Sequence, residues 1–198
     1  MAEEVERRGD RESGLLLVAG MAALMWAVEV VGYVEGDLAA NGIRPRDGEG
    51  LLGILLAPFL HGDFGHLLGN TIPFLTLGAV IALSGLARVA AVTAIVAVGG
   101  GLGTWLVGPS DTVHIGASGI VFGYATYLLA RGVYSRRLLH LGTGLLVLAV
   151  FGTTLLFGLI PSAGVSWQGH LFGALSGVLA ARVLDSRKEL AAIGGARA

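Results

Sequence analysis

The sequence predicts an all-α polytopic membrane protein of six transmembrane helices with a short central fourth helix. Three observations carry that prediction. The 198 residues are 54% hydrophobic and 14% charged, whereas a soluble domain has about 25% charged residues. The mean hydropathy is +0.77, and apolar runs long enough to cross a bilayer recur along the chain. The cations also sort by side: of the 13 Lys and Arg residues, only Arg44 and Arg46 fall in loops opposite the termini. Cationic loops stay in the cytoplasm, so both termini are expected there and the long first loop outside. A net charge of -1 gives no ground for a nucleic-acid partner. With no cysteine there is no disulfide, thiolate metal site or thiol nucleophile.

Residues 1–13 are charged and expected to fray, residues 14–184 form the membrane domain, and residues 185–198 are a polar tail. Gly14 to Val34 is the first span, too long for a signal-peptide core of about 7–15 residues and therefore retained. Glu29, near its far end, reads as an inward-facing or snorkelling structural residue. Glu35 to Gly65 opens with turn formers and becomes apolar from Leu51 to Leu60, a run too short to cross, which reads as re-entrant or interfacial. His66 to Leu83 and Leu86 to Val107 are the second and third spans. Gly108 to Asp111 is a turn, and the short fourth helix runs from about Ser118 to Ala130, ahead of the Arg131, Arg136 and Arg137 linker. Leu138 to Ile160 is the fifth span and Trp167 to Leu184 the sixth, with a brief loop from Pro161 to Ser166 between them. Arg in excess of Lys and richness in Ala and Gly point to a GC-rich bacterium, hence its plasma membrane.

Polar groups recur at one depth. Ser118 stands about 20 Å from Arg131, His170 about 18 Å from Arg182 and Asn70 about 21 Å from Ser84, with His66 one turn higher. Polar side chains at such depth are costly and face a wet interior. Gly116-Ala-Ser-Gly119 alone fits helix packing better than chemistry, since small residues let transmembrane helices approach. The sixth helix changes that balance. His170, Gly173, Ala174 and Gly177 share one face, a smooth stripe that complements Gly116, Gly119 and Gly123. Close approach of the two helices brings Ser118 and His170 within hydrogen-bond reach, with His66 and Asn70 directed toward the same spot.

These residue types suit acyl transfer. A serine becomes a nucleophile when an imidazole takes its proton. Asn70, His66 and the Ser118 backbone N–H are candidate donors to the oxyanion. No acid lies in the apolar core to orient His170, so a dyad is expected, and Phe122, one turn below Ser118, is placed to stack on the imidazole. A metal is not expected: His61 and His66 are five apart, off a common helical face, and no HExxH occurs. No other cofactor is implied. His114, four residues before Ser118, is a rival base but reads better as a surface histidine, and Ser110, Ser162 and Ser166 are assigned no role. Trp26, Trp105 and Trp167 read as boundary or core aromatics.

His66-Leu-Leu-Gly-Asn70, Gly116-Ala-Ser118-Gly119 and Gly169-His170-Leu-Phe-Gly173 together resemble the three motifs of rhomboid intramembrane serine proteases, in order and helix assignment, over roughly Gly14 to Leu184. The resemblance implies Ser118 as nucleophile, His170 as general base, and His66, Asn70 and the Ser118 amide as the oxyanion hole. It adds His61 as a recurrent histidine of the first motif. It further implies substrates that are transmembrane helices of other proteins, admitted laterally from the lipid beside the fifth helix and the Pro161 to Ser166 loop. The sequence departs from the family near Leu52-Gly53, where a Trp-Arg pair is common, and at Phe122, often Tyr. The alternative is a catalytically inactive rhomboid-like protein that binds or escorts membrane clients; such relatives typically lack the nucleophile or base. A transporter is disfavoured, with no paired broken helices or intramembrane charge relay. The oligomeric state is not legible.

Overall fold

The computed structural model describes residues 1–36 and 38–186. Its helices are α1 (Ala2–Glu35), the single turn α2 (Gly53–Leu56), α3 (Phe64–Ala82), α4 (Leu86–Val107), α5 (Ser118–Ser135), α6 (Leu138–Gly158) and α7 (Trp167–Asp185). There is no strand among the described residues, only one isolated antiparallel bridge between Ile43 and His114. Among the described residues, four helices, α1, α3, α4 and α6, are long and apolar enough to cross a membrane. The other two long helices, α5 and α7, carry polar residues and pack in the middle of the others. The chain is an all-α, polytopic integral membrane protein. The expected tail lies outside the described residues from position 187 onward.

Glycine sets the central packing. On α7, Gly173 lies against the Gly119 backbone of α5, and Gly177 against the Gly123 carbonyl and Thr126. An added Cβ at either position would overlap a carbonyl oxygen. Thr126 Oγ1 donates to the Ala174 carbonyl at 2.7 Å across the same seam. Gly100 of α4 meets Gly173 from the other side, at 3.2 Å between its added Cβ and the Gly173 Cα. Small residues at such contacts are how helices associate where lipid gives no hydrophobic drive. Around this seam lies a core of Met25, Leu67, Phe74, Tyr124 and Tyr127, all at 0% exposure. By contrast α6 touches the bundle along one edge at Gly144 and Val147 and exposes Leu145, Leu146, Leu148 and Val150 outward.

Two boundaries differ from the sequence expectation by more than two residues. The charged segment 1–13 does not fray: α1 starts at Ala2. Arg7–Glu3 and Arg8–Glu12 pairs one turn apart support it, and Asp10 accepts the Leu86 N–H at 3.0 Å, capping α4. The fourth long helix, α5, is longer than expected and continues through Arg131 to Ser135, ending where Arg136 turns left-handed at φ 52°. Arg131 does not stop the helix because its charge is met inside the protein. Its guanidinium bonds Asp185 at 3.2 Å and Ser84 at 2.9 Å. Asp185 also accepts from Tyr127 at 2.8 Å and from Arg88 at 3.4 Å. This cluster ties α4, α5 and α7 together at the end opposite His66 and His170.

The first loop folds into short helical pieces (Ala39–Asn41, Glu49–Leu51, α2, Ala57–Phe59). No Trp-Arg pair is adjacent in sequence, yet a tryptophan and an arginine hold this loop from afar. Trp105 of α4 donates its indole N–H to the Asp47 carbonyl at 2.8 Å, and the Arg46 N–H returns a bond to the Trp105 carbonyl at 3.1 Å. The Arg46 guanidinium bonds the Leu106 and Gly108 carbonyls and the Ser110 hydroxyl. Trp105 is therefore a loop anchor, and Ser110 has a structural partner.

Candidate active site

Ser118 is the first residue of α5, and its approach is tightly constrained. Gly116 sits at φ 104°, a left-handed conformation natural to glycine, and its N–H bonds the Ala57 carbonyl at 2.8 Å. The N-cap, Ala117, offers no side-chain acceptor, so the first N–H groups of α5 point free at the positive end of the helix dipole.

His170 lies one turn into α7. Its own N–H bonds the Ser166 carbonyl at 3.0 Å, and the Ser166 hydroxyl accepts the Gly169 N–H at 3.2 Å as N-cap. The structure places His170 Nε2 2.8 Å from Ser118 Oγ. On the other ring edge, Nδ1 lies 2.6 Å from the Gly158 carbonyl oxygen. A carbonyl only accepts, so Nδ1 carries the proton and Nε2 is the acceptor for the serine hydroxyl. Phe122 stacks on the imidazole, with ring centroids 4.2 Å apart and planes 6° from parallel.

His66 and Asn70 are one turn apart on α3, which Asp63 caps by accepting the His66 N–H at 2.8 Å. His66 Nδ1 receives the Gly62 N–H at 3.5 Å, which leaves Nε2 as a donor directed at Gly116. An added Cβ on Gly116 would lie 2.9 Å from that nitrogen and 3.4 Å from Asn70 Nδ2. Asn70 is 6% exposed and its amide nitrogen has no hydrogen-bond partner. A buried orphan donor is rare and marks a place where a ligand atom belongs. Ser118, His170, His66 and Asn70 all line one cavity of about 970 Å³, walled by Pro161 to Gln168 on one side. A smaller cavity of about 50 Å³ also borders Ser118, between the first loop, α4 and α5.

His61 stands behind these groups in the loop before α3. Its Nε2 receives the Ala117 N–H at 3.4 Å, and its ring meets the His66 ring edge-on at 5.1 Å. Burial, aided by the neighbouring imidazole, pushes His61 down to about 4, so it is neutral at ordinary pH. Gly119 and Gly173 contribute by letting α5 and α7 touch. Among the described residues no group of three or more His, Cys, Asp or Glu side chains is arranged to hold a metal.

Three participants escaped the sequence reading. Gly158 contributes a carbonyl, which no side-chain pattern announces. Ser166, assigned no role, caps α7; a serine directly before a helical run was the available signal. His114, expected at the surface, is 7% exposed, and its ring lies 2.6 Å from Ser166 Oγ through Nδ1.

Comparison with known proteins agrees with this architecture. Residues 49–187 match the model of the Rhomboid domain. An uncharacterized protein of Mycobacterium tuberculosis, Rv1337, is 46% identical over 176 residues, covering 83% of this chain and 72% of the relative. An uncharacterized protein of Mycobacterium leprae, ML1171, is 43% identical over 195 residues, covering 92% and 76%. A Bacillus subtilis protein named "Putative rhomboid protease YdcA" is 31% identical over 170 residues, covering 85% and 80%. With its helical bundle, its paired serine and histidine and these matches, the chain belongs to the rhomboid family.

Proposed function

We propose that this protein is an intramembrane serine endopeptidase that cleaves transmembrane helices of other membrane proteins by a Ser118–His170 dyad. The observation that carries the reading is the 2.8 Å contact of Ser118 Oγ with His170 Nε2, in the tautomer that the Gly158 carbonyl enforces. In the first half-reaction Ser118 Oγ attacks the scissile carbonyl carbon as its proton passes to Nε2. The carbonyl oxygen takes the electron pair and the negative charge. Asn70 Nδ2, His66 Nε2–H and the Ser118 N–H are the donors for that charge. Collapse of the tetrahedral adduct breaks the C–N bond, and the imidazolium gives its proton to the leaving amine. A water then repeats the sequence on the acyl-serine, with His170 again as base, and releases the acid product.

The same reading sets the topology. We place α5 and α7 across the membrane with the other four long helices, both termini in the cytoplasm of a bacterial cell and the 970 Å³ cavity toward the outer face. Substrate helices enter from the lipid beside α6, whose outward face is largely unpacked, and past the loop at 161–166. The domain boundaries at 13/14 and 184/185 mark where charged ends meet the membrane.

The test is labelling with a fluorophosphonate in detergent, followed by cleavage of a single-span model helix bearing Gly and Ala near its outer end. Labelling and cleavage lost in Ser118→Ala and in His170→Ala support the proposal. Labelling that survives Ser118→Ala refutes the site, and a folded protein that binds the helix without cleaving it supports an escort instead.

A further inference from the structure

A second serine–histidine contact lies 52 residues apart in sequence beside the first. His114 Nδ1 is 2.6 Å from Ser166 Oγ, and His114 Nε2 is 3.0 Å from Thr112 Oγ1, which in turn lies 2.7 Å from the Pro109 carbonyl. One assignment of protons satisfies every group. The Gly169 N–H donates to Ser166 Oγ, whose own proton goes to His114 Nδ1; His114 Nε2–H donates to Thr112 Oγ1, whose proton goes to Pro109. The chain ends on backbone at both sides and leaves no donor spare. It is not a second catalytic pair: the hydroxyl of Ser166 is already committed as a helix cap.

What the chain joins is more telling. The backbone of His114 pairs in both directions with Ile43 of the first loop, at 2.9 Å each way. Three residues separate it from Ser118. At the far end, Ser166 holds the first turn of α7 twice, through its side chain to Gly169 and its carbonyl to the His170 N–H. Among the described residues, the imidazole of His114 therefore makes the only side-chain hydrogen bond between the segment entering α5 and the cap of α7. The adjoining loop is exposed over 161–164, and Gly164 takes φ 75°. A loop that must part for a substrate helix pulls on Ser166, and through it on His170.

We propose that His114 is a positioning residue: it pins Ser166, so that the 161–165 loop can swing for substrate without drawing His170 away from Ser118. This rests on the reading of Ser118 and His170 as the dyad. Burial alone drives His114 below the usual imidazole range, consistent with the neutral form that the proton chain requires.

The experiment is a double-variant cycle at His114 and Ser166, with His114→Asn as the conservative replacement, because the asparagine carbonyl oxygen can take the place of Nδ1 as acceptor. Two rates are read per mole of folded protein: fluorophosphonate labelling of Ser118, and kcat and KM for the model helix. The expected result is a fall of at least about tenfold in labelling and kcat for His114→Ala and for Ser166→Ala, with KM within about twofold, since misplacement by about 1 Å can cost 10²-fold. The double variant should be no slower than the slower single variant, and His114→Asn should recover most of the rate. Wild-type rates in His114→Ala, losses that multiply in the double variant, or no recovery with asparagine would overturn the proposal. If His114→Ala does not fold, Ser166→Ala and His114→Asn interrogate the same bond from either end. Labelling of the wild type that is indifferent to Ser118→Ala is a separate outcome, and it removes the dyad reading on which the tie depends.

Discussion

Gly173→Ala tests whether the α5–α7 seam sets the dyad distance. An alanine Cβ at 173 would overlap the Gly119 carbonyl oxygen and lie 3.1 Å from Gly119 Cα. Ordinary carbon contacts need about 3.5–4.0 Å, so the helices must part by roughly 1 Å. Gly173 is about 4.5 Å along the axis from His170, less than one turn, so the displacement reaches the imidazole almost undiminished. The present 2.8 Å between Ser118 Oγ and His170 Nε2 then exceeds hydrogen-bond reach. The expected loss in kcat is about 100-fold, and overpacking should cost about 1–3 kcal/mol of stability. Gly177→Ala is the control. It overlaps the Gly123 carbonyl in the same way but lies about 10 Å from His170. It should lower the thermal midpoint similarly and the rate much less. Cleavage and labelling rates on folded protein in detergent, set beside the midpoints, decide the matter. Equal rate losses in the two variants, or a Gly173→Ala rate near wild type, would refute the reasoning.

Asn70→Ala removes the orphan donor and should reduce kcat by about 10²–10³-fold with little change in KM, as measured on the model helix; an effect confined to KM would assign Asn70 to substrate binding. Asp185→Ala takes the carboxylate from half-buried Arg131 and Arg88, which keep their bonds to Ser84 and the Leu184 carbonyl, so the thermal midpoint should fall by the equivalent of about 1.5–3 kcal/mol, while the labelling rate of folded protein changes little. His61 is neutral in the fold, its pKa lowered by burial to about 4, against 6.5 for an ordinary histidine. Between those values the unfolded chain binds the extra proton, so the stability tied to His61 is complete above about pH 6.5 and declines as pH falls toward 4. Thermal midpoints from pH 4 to 8 should show that decline in the wild type and a shallower one in His61→Gln; parallel curves would exclude the assignment.

The helices were legible where an apolar run meets a residue that must leave lipid. α4 and the start of α6 sit where the sequence puts them, because Gly85, Gly108 and the arginines before Leu138 punctuate them unambiguously. Arg131 misled because a charge ends a span only if nothing inside receives it, and its partner Asp185 is 54 residues away. Residues 1–13 misled because their support is partly Asp10 reaching Leu86, 76 residues on. The candidate site was legible through depth, the small-residue stripes beside Ser118 and His170, and the three motifs together: the helical rise is fixed, so polar residues on separate helices can be compared by counting from their basic or polar ends. His114 was not, since its burial depends on Ile43 and Ser166, neither of which the local sequence brings near. The loop anchor was missed for the same reason, Arg46 and Trp105 being distant in sequence though they meet in space.

If His170 is the base proposed above, its Nδ1 partner explains how it can operate without an acid. A carboxylate there would have to be desolvated beside lipid, which costs several kcal/mol before it orients anything. The Gly158 carbonyl needs no such expenditure. It belongs to the last residue of α6, where helix carbonyls have no intrahelical partner and carry the negative end of the dipole, about half an elementary charge. That partial charge would favour the imidazolium of the proposed proton transfer from Ser118, and the same oxygen fixes the tautomer in the structure. Any residue at 158 would supply that carbonyl, but only glycine fits beside it. A Cβ at 158 would overlap Phe122 and lie 3.1 Å from His170 Nδ1, so any larger residue displaces the ring that stacks on the imidazole. Gly158→Ala should therefore weaken labelling of Ser118 while leaving every dyad side chain in place. On the proposed reading the dyad is completed by two backbones, the carbonyl end of α6 and the amide end of α5, each already polarised in the direction the proposed reaction needs.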